Sequence, residues 1–90
     1  MFARVATFNQ MPEGLDSEAV DLLRRTVRET PGFVAGFHLL DPNTRKALSI
    51  VVVENQEAGR AVQAALAARP ADARVGIDPD DVEFFEATSF

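Results

Sequence analysis

Apolar residues recur along this chain with two periods, and the places where the period changes divide it into elements. Residues 2–8 alternate, with Phe2, Arg4, Ala6 and Phe8 on one side and Ala3, Val5 and Thr7 on the other, the pattern of a strand. Pro12 and Gly14 interrupt it. From Ala19 the spacing becomes helical. Ala19, Val20, Leu23 and Val27 fall within an arc of roughly 100 degrees, and Asp21, Arg24, Arg25 and Arg28 lie on the other side. Asp16 or Ser17 can accept from the free amides of a first turn, so a helix is predicted from there to about Glu29. Asp21 stands four residues before Arg25, the spacing of a weak surface pair, and the arginines read as a solvated face.

Thr30, Pro31 and Gly32 stop that helix, and a second strand is expected over Phe33 to Leu40. Asp41-Pro42-Asn43-Thr44 has the residues of a type I turn, and a third strand follows from about Lys46 to Glu54. If Asp41 faces Lys46, then Phe33, Ala35, Phe37 and Leu39 share a face with Leu48, Ile50, Val52 and Glu54. The opposite face holds Val34, Gly36, His38 and Leu40 beside Ala47, Ser49, Val51 and Val53. The first face is bulkier and is expected to lie under the helices. The second, with His38 opposite Ser49, is expected to meet a partner subunit.

Asn55 reads as the cap of a second helix, with Ala58, Val62, Ala65 and Leu66 as its buried stripe to about Ala68 and Pro70 beyond its end. Ala71 to Asp81 is a connection in which Val75 and Ile77 pin the loop or add a short edge strand, and Val82 to Phe90 forms a last strand. Strand, helix, strand, strand, helix, strand with right-handed crossovers makes an α+β fold. It is a ferredoxin-like βαββαβ plait, a four-stranded antiparallel sheet with both helices on one face.

Ninety residues, 47% of them hydrophobic, suffice for a single domain over 1–90. Helices on one face leave the other apolar and open, so a homodimer through the open sheet face is expected. Acidic residues outnumber basic ones 14 to 9, which disfavours nucleic acid as a partner. With no cysteine there is no disulfide, thiolate metal site or thiol nucleophile. The first twenty residues carry Arg4, Glu13 and Asp16 without a long apolar run, so no membrane partner and a cytoplasmic location are expected.

Few side chains are chemically distinctive. His38 is the only histidine and the only side chain whose ordinary pKa lies near neutrality, a candidate general base or ligand. The ordinary alternative is a hydrogen-bonded histidine opposite Ser49 at a dimer face. A lone histidine does not make a metal site, and none is predicted. Ser49 is mid-strand and outside any Gly-x-Ser-x-Gly turn, which argues against hydrolase chemistry. Arg4, Glu83 and Glu86 are expected to pair across outer strands. Asp78, Asp80 and Asp81 lack the loop pattern of a calcium site and read as a solvated loop.

The stretch ETPGFVAGFHLLDPNTRKALSIVVVENQEAGRA, with its Pro-Gly-Phe after a helix, polar turn and Ala-Leu-Ser strand ending in an acidic residue, resembles the antibiotic-biosynthesis monooxygenase-like family of dimeric α/β-barrel proteins. MFARV at the start and VEFFEA near the end are similar to that family's termini. The resemblance implies a dimeric α/β barrel with a pocket in each subunit between sheet and helices or loops. It further implies either oxidation of aromatic polyketides without a cofactor, or haem degradation as in other members; no cofactor is predicted here. Asn9, at the end of the first strand where such members carry a functional Asn, becomes a catalytic candidate beside His38, an amide able to donate to developing oxyanion charge. The alternative is a turn residue before Met11-Pro12. Phe37, Ser49, Val53 and Phe85 are candidates for a pocket that takes an apolar or aromatic small molecule.

One departure matters. The chain has no Trp and no Tyr, whereas active members place such an aromatic near the end of the third strand, where Val53 stands here. Two readings therefore stay open, a small oxygenase or ligand binder and a homodimeric binding or assembly module without catalysis.

Overall fold

A computed structural model describes residues 1–70 and 75–90. Its elements follow the predicted order: β1 (Phe2–Phe8), α1 (Ser17–Arg28), β2 (Phe33–Leu40), β3 (Ala47–Val53), α2 (Gln56–Ala67) and β4 (Asp81–Glu86). The four strands form one antiparallel sheet in the order β2-β3-β1-β4. This is the ferredoxin-like plait with two helices. Asp16 caps α1 by accepting from Glu18 N, and Asn55 caps α2 by accepting from Ala58 N at 2.9 Å. β4 ends at Glu86 rather than running to Phe90, because Glu86 is already opposite Phe2, the first residue of its partner strand. One last bond, from Ala87 N to Met1 O, closes that end. Val75 and Ile77 lie half-buried outside any strand, and residues 71–74 of the predicted connection lie outside the described residues.

The hairpin has the register that the Asp41–Lys46 pairing predicts, with His38 opposite Ser49 and Phe37 opposite Ile50. Asp41 holds the turn by accepting from Asn43 N and Thr44 N, which also keeps its carboxyl below the ordinary range. Arg45 closes the loop at φ 66, a conformation uncommon for a side-chain-bearing residue. Its guanidinium donates to Met11 O and Pro12 O, tying the β1–α1 connection to the hairpin.

The two faces of the sheet are the reverse of the sequence-based expectation. The core under the helices is Val51 and Val53 of β3 with Val27, Ala58 and Val62, joined by Phe2, Phe33 and Leu66. The face that carries His38, Ser49 and Val53 is thus the covered one. The bulkier set lies on the open face, where Phe37, Leu39 and Phe85 stay 55%, 47% and 49% exposed. A β-bulge at Val34 accounts for one exception: Phe33 pairs with Val53 instead of Glu54, which carries its ring to the helix side. There the ring lies over Gly36, where an added Cβ would sit 3.5 Å from it.

Small residues at Ala6, Gly36, Ala47 and Ser49 point toward the helices. They leave space between the layers that larger side chains would have filled. The inversion of the faces and the existence of an open-sided cleft beneath the helices are therefore one fact.

Candidate functional site

That space is an open-sided cavity of about 1390 Å³ between the sheet and the helices. It is walled by Val20, Leu23 and Val27 of α1, Leu66 of α2, and Leu40 and Val51 of the sheet. Val75 and Ile77 border it from the connection before β4. The volume exceeds the range of about 300–1,000 Å³ usual for small-molecule pockets, and the wall is mostly apolar with a few polar groups.

His38 projects from β2 into this layer, where Arg24 Nε donates to its Nδ1 at 3.0 Å. A histidine nitrogen that accepts carries no proton, so the ring is neutral with its proton on Nε2. Partial burial, and then the Arg24 charge, hold its pKa below the ordinary 6.5. In this arrangement Nδ1 is occupied and Nε2–H is a donor. His38 can offer a hydrogen bond to a ligand oxygen, and it can accept a substrate proton only if Arg24 releases it. Its position on the α1 side of the sheet corrects the expectation that it lies on the open face. Arg24 corrects a second one, since it is not merely a solvated residue and its surface ion pair is with Asp21, at 3.7 Å, in place of the Asp21–Arg25 pair.

Ser49 and Phe37 both border the cavity, Ser49 from the helix-facing side of β3 and Phe37 from the edge strand β2, although its register position belongs to the open face. Val53 is 2% exposed within the core cluster and does not border the cavity. Phe85 lies on the open face of β4. Asn9 lines a separate recess of about 370 Å³ with Gln10, Pro12 and Asp80, and its backbone N donates to Asp80 Oδ2 at 2.7 Å. Phe8, Ile77 and Asp78 border both spaces, so the recess adjoins the main cavity while Asn9 and His38 line different ones.

Arg4 is the residue whose role the sequence reading misplaced. It faces α2, where its Nε donates to Gln63 Oε1 at 3.0 Å, and β4 puts Phe84 rather than a glutamate opposite it. Partial burial lowers its pKa from the ordinary guanidinium range. The signal was present in the alternation of Phe2, Arg4, Ala6 and Phe8, a cation set among apolar residues on one face. Among the described residues no group of three or more His, Asp or Glu is placed to hold a metal ion. Among them, too, no helix is long and apolar enough to cross a membrane.

No family model and no curated protein sequence matches the chain. Solved structures do, over its full length. A protein of Chloroflexus aurantiacus J-10-fl assigned as an antibiotic biosynthesis monooxygenase superposes with a TM-score of 0.65 at 14% identity, covering 99% of this chain and 94% of that one. The monooxygenase from the ActVA-Orf6 gene of Streptomyces coelicolor, solved with nanaomycin D, gives 0.57 at 16% identity, covering 99% and 88%. SnoaB of Streptomyces nogalater, a cofactor-independent oxygenase, gives 0.57 at 20% identity, covering 99% and 91%. The fold of this chain is that of the antibiotic biosynthesis monooxygenases.

Proposed function

We propose that this protein is a homodimeric monooxygenase-like protein that takes an aromatic or polyketide-like small molecule into the cavity between its sheet and helices and oxidises it with dioxygen. The carrying observation is the cavity itself, about 1390 Å³ with a mostly apolar wall and His38 and Ser49 among its few polar groups. Structural neighbours that are monooxygenases, one of them solved with nanaomycin D, support the reading. Without a cofactor the electrons must come from the substrate, which restricts it to electron-rich phenols and quinols. His38 Nε2–H is the donor proposed to hold the oxygen that becomes anionic when such a ring loses a proton, and the Asn9 amide, in the adjoining recess, is proposed to meet a more distant polar group of the same molecule. Phe37 and Ser49 belong to the proposed ligand wall. Val53 and Phe85 act on it only indirectly, through the core and the open face.

The open face supports the dimer. Val5, Leu48, Ile50 and Val52 are flanked there by exposed Phe37, Leu39 and Phe85, a contiguous apolar surface of the kind a second copy covers.

A binding module without turnover is the second reading. It is favoured by the Arg24–His38 hydrogen bond, which occupies the lone pair a base would need, and by the absence of Trp and Tyr from the chain. An oxygen electrode separates the two. Polycyclic phenols and quinols are offered to the purified protein, with ligand binding followed in parallel. Oxygen uptake that falls at least tenfold in Asn9→Ala or His38→Ala supports the enzyme. Saturable binding without uptake leaves the module, and uptake unchanged in both variants removes these two residues from the mechanism.

A further inference from the structure

The charge of the cavity runs against that of the chain. Acidic residues outnumber basic ones 14 to 9 overall, yet among the described residues Arg4, Arg24, Arg28 and Arg69 border the cavity against a single carboxylate, Asp78. Two of the four are already engaged, Arg24 with Asp21 and His38, and Arg69 with Leu66 O. Arg28 is exposed at the rim.

Arg4 differs from all of these. It is partly buried in the floor of the sheet, and Gln63 holds its Nε. Among the described residues nothing accepts from its two terminal nitrogens, and no carboxylate lies within 4.0 Å of it. A half-buried guanidinium without a counter-charge has an open place for an anion, and one fixed at Nε presents its terminal pair as a planar fork. That fork matches a carboxylate or a phosphate bound through two oxygens, and the mostly apolar wall around it favours the less charged carboxylate.

We propose that the ligand of this cavity is a flat, apolar ring system bearing a carboxylate, with the acid group held bidentately by Arg4 and the rings against Leu23, Val27 and Leu66. Gln63 is a positioning residue that keeps the fork aimed. This rests on the reading of the cavity as a small-molecule site and adds the chemical class of its occupant. The acidic exterior contributes selectivity, since it discourages polyanions while a compact anion enters to meet the arginines.

The test uses a fluorescent pair that differs only in charge, anthracene-2-carboxylate and anthracene-2-carboxamide, titrated into the full chain at pH 7.5. The acid is expected to bind at least about tenfold more tightly than the amide, an advantage that falls with salt. Arg4→Gln should abolish that preference while leaving amide affinity within about twofold. Arg4→Lys should retain part of it, because an ammonium keeps the charge and loses the fork. Arg28→Gln, at the exposed rim, should cost less than about threefold. Thermal melts of each variant establish that it is folded, and Gln63→Leu provides a second route, expected to weaken the acid alone. Equal binding of acid and amide, or an acid preference intact in Arg4→Gln, overturns the carboxylate assignment and leaves the cavity reading standing. Failure of both probes to bind at millimolar concentration overturns both.

Discussion

Gly32 is the point at which helix α1, strand β2 and helix α2 meet, and its replacement by alanine tests whether that junction sets the geometry of the cavity. Its φ of +87 lies in the left-handed region, and an added Cβ would stand 2.5 Å from Ala58 Cβ. Carbon atoms are at optimal separation near 3.5–4.0 Å, so the overlap is about 1 Å or more. The backbone term costs about 1–2 kcal/mol for a residue with a side chain. Overpacking against a helix already seated on the core adds about 1–3 kcal/mol. Together they predict a loss of about 2–5 kcal/mol, a large share of the roughly 5–15 kcal/mol that holds a small domain.

Urea unfolding followed by circular dichroism reads this directly, as a midpoint lowered by about 1–2.5 M for a slope of about 2 kcal/mol/M. The contact part should be recovered in Gly32→Ala/Ala58→Gly, whose combined cost falls below the sum of the single variants by about 1–3 kcal/mol. Gly32 O also accepts from Glu54 N at 2.9 Å, so a shift here moves the bulge that turns Phe33 inward. Ligand affinity should fall along with stability. A loss below about 0.5 kcal/mol, or strict additivity in the double variant, would refute the junction as described.

Two further outcomes follow from other parts of the molecule. The folded-state pKa of His38 is depressed, so its contribution to stability is present above the unfolded value near 6.5 and is lost as pH falls toward the lower folded value. Urea midpoints of the wild type should decline across that window, and His38→Gln should flatten the decline; an unchanged slope would contradict the Arg24–His38 geometry. On the open face, Phe37→Asp should weaken self-association at least about a hundredfold, since a two-fold interface meets each substitution twice. Light scattering over a dilution series reads the change, with Phe84→Asp on the opposite side of the sheet as a control expected to leave the oligomeric state alone.

Much of the fold was legible in sequence because its determinants are local. The strand alternation of 2–8, the caps at Asp16 and Asn55, and the stop at Pro31-Gly32 each act within a few residues. The Asp41–Lys46 turn acts at the same short range and fixes the hairpin register as far as Ala35. What the pattern could not supply was which side of that hairpin the helices cover. Period-two alternation defines two faces without labelling them, and ranking by bulk chose the wrong one. The smaller face goes under the helices and the bulkier one is left open. The bulge at Val34 was equally hidden, since one extra residue in a strand leaves no mark in an apolar run.

The site was legible only in pieces. His38 and Ser49 were paired correctly from register alone, yet their surroundings came from α1, through a hydrogen bond with Arg24 spanning 14 residues. Arg4 meets Gln63 across 59 residues, a distance over which no local pattern carries information. Sequence thus determined the elements, their order and the strand partners, because capping, turn chemistry and side-chain alternation are short-range. Tertiary structure alone decided the covered face, the cavity and its cationic floor, because these depend on how two helices settle over a sheet whose facing side chains are too small to fill the space.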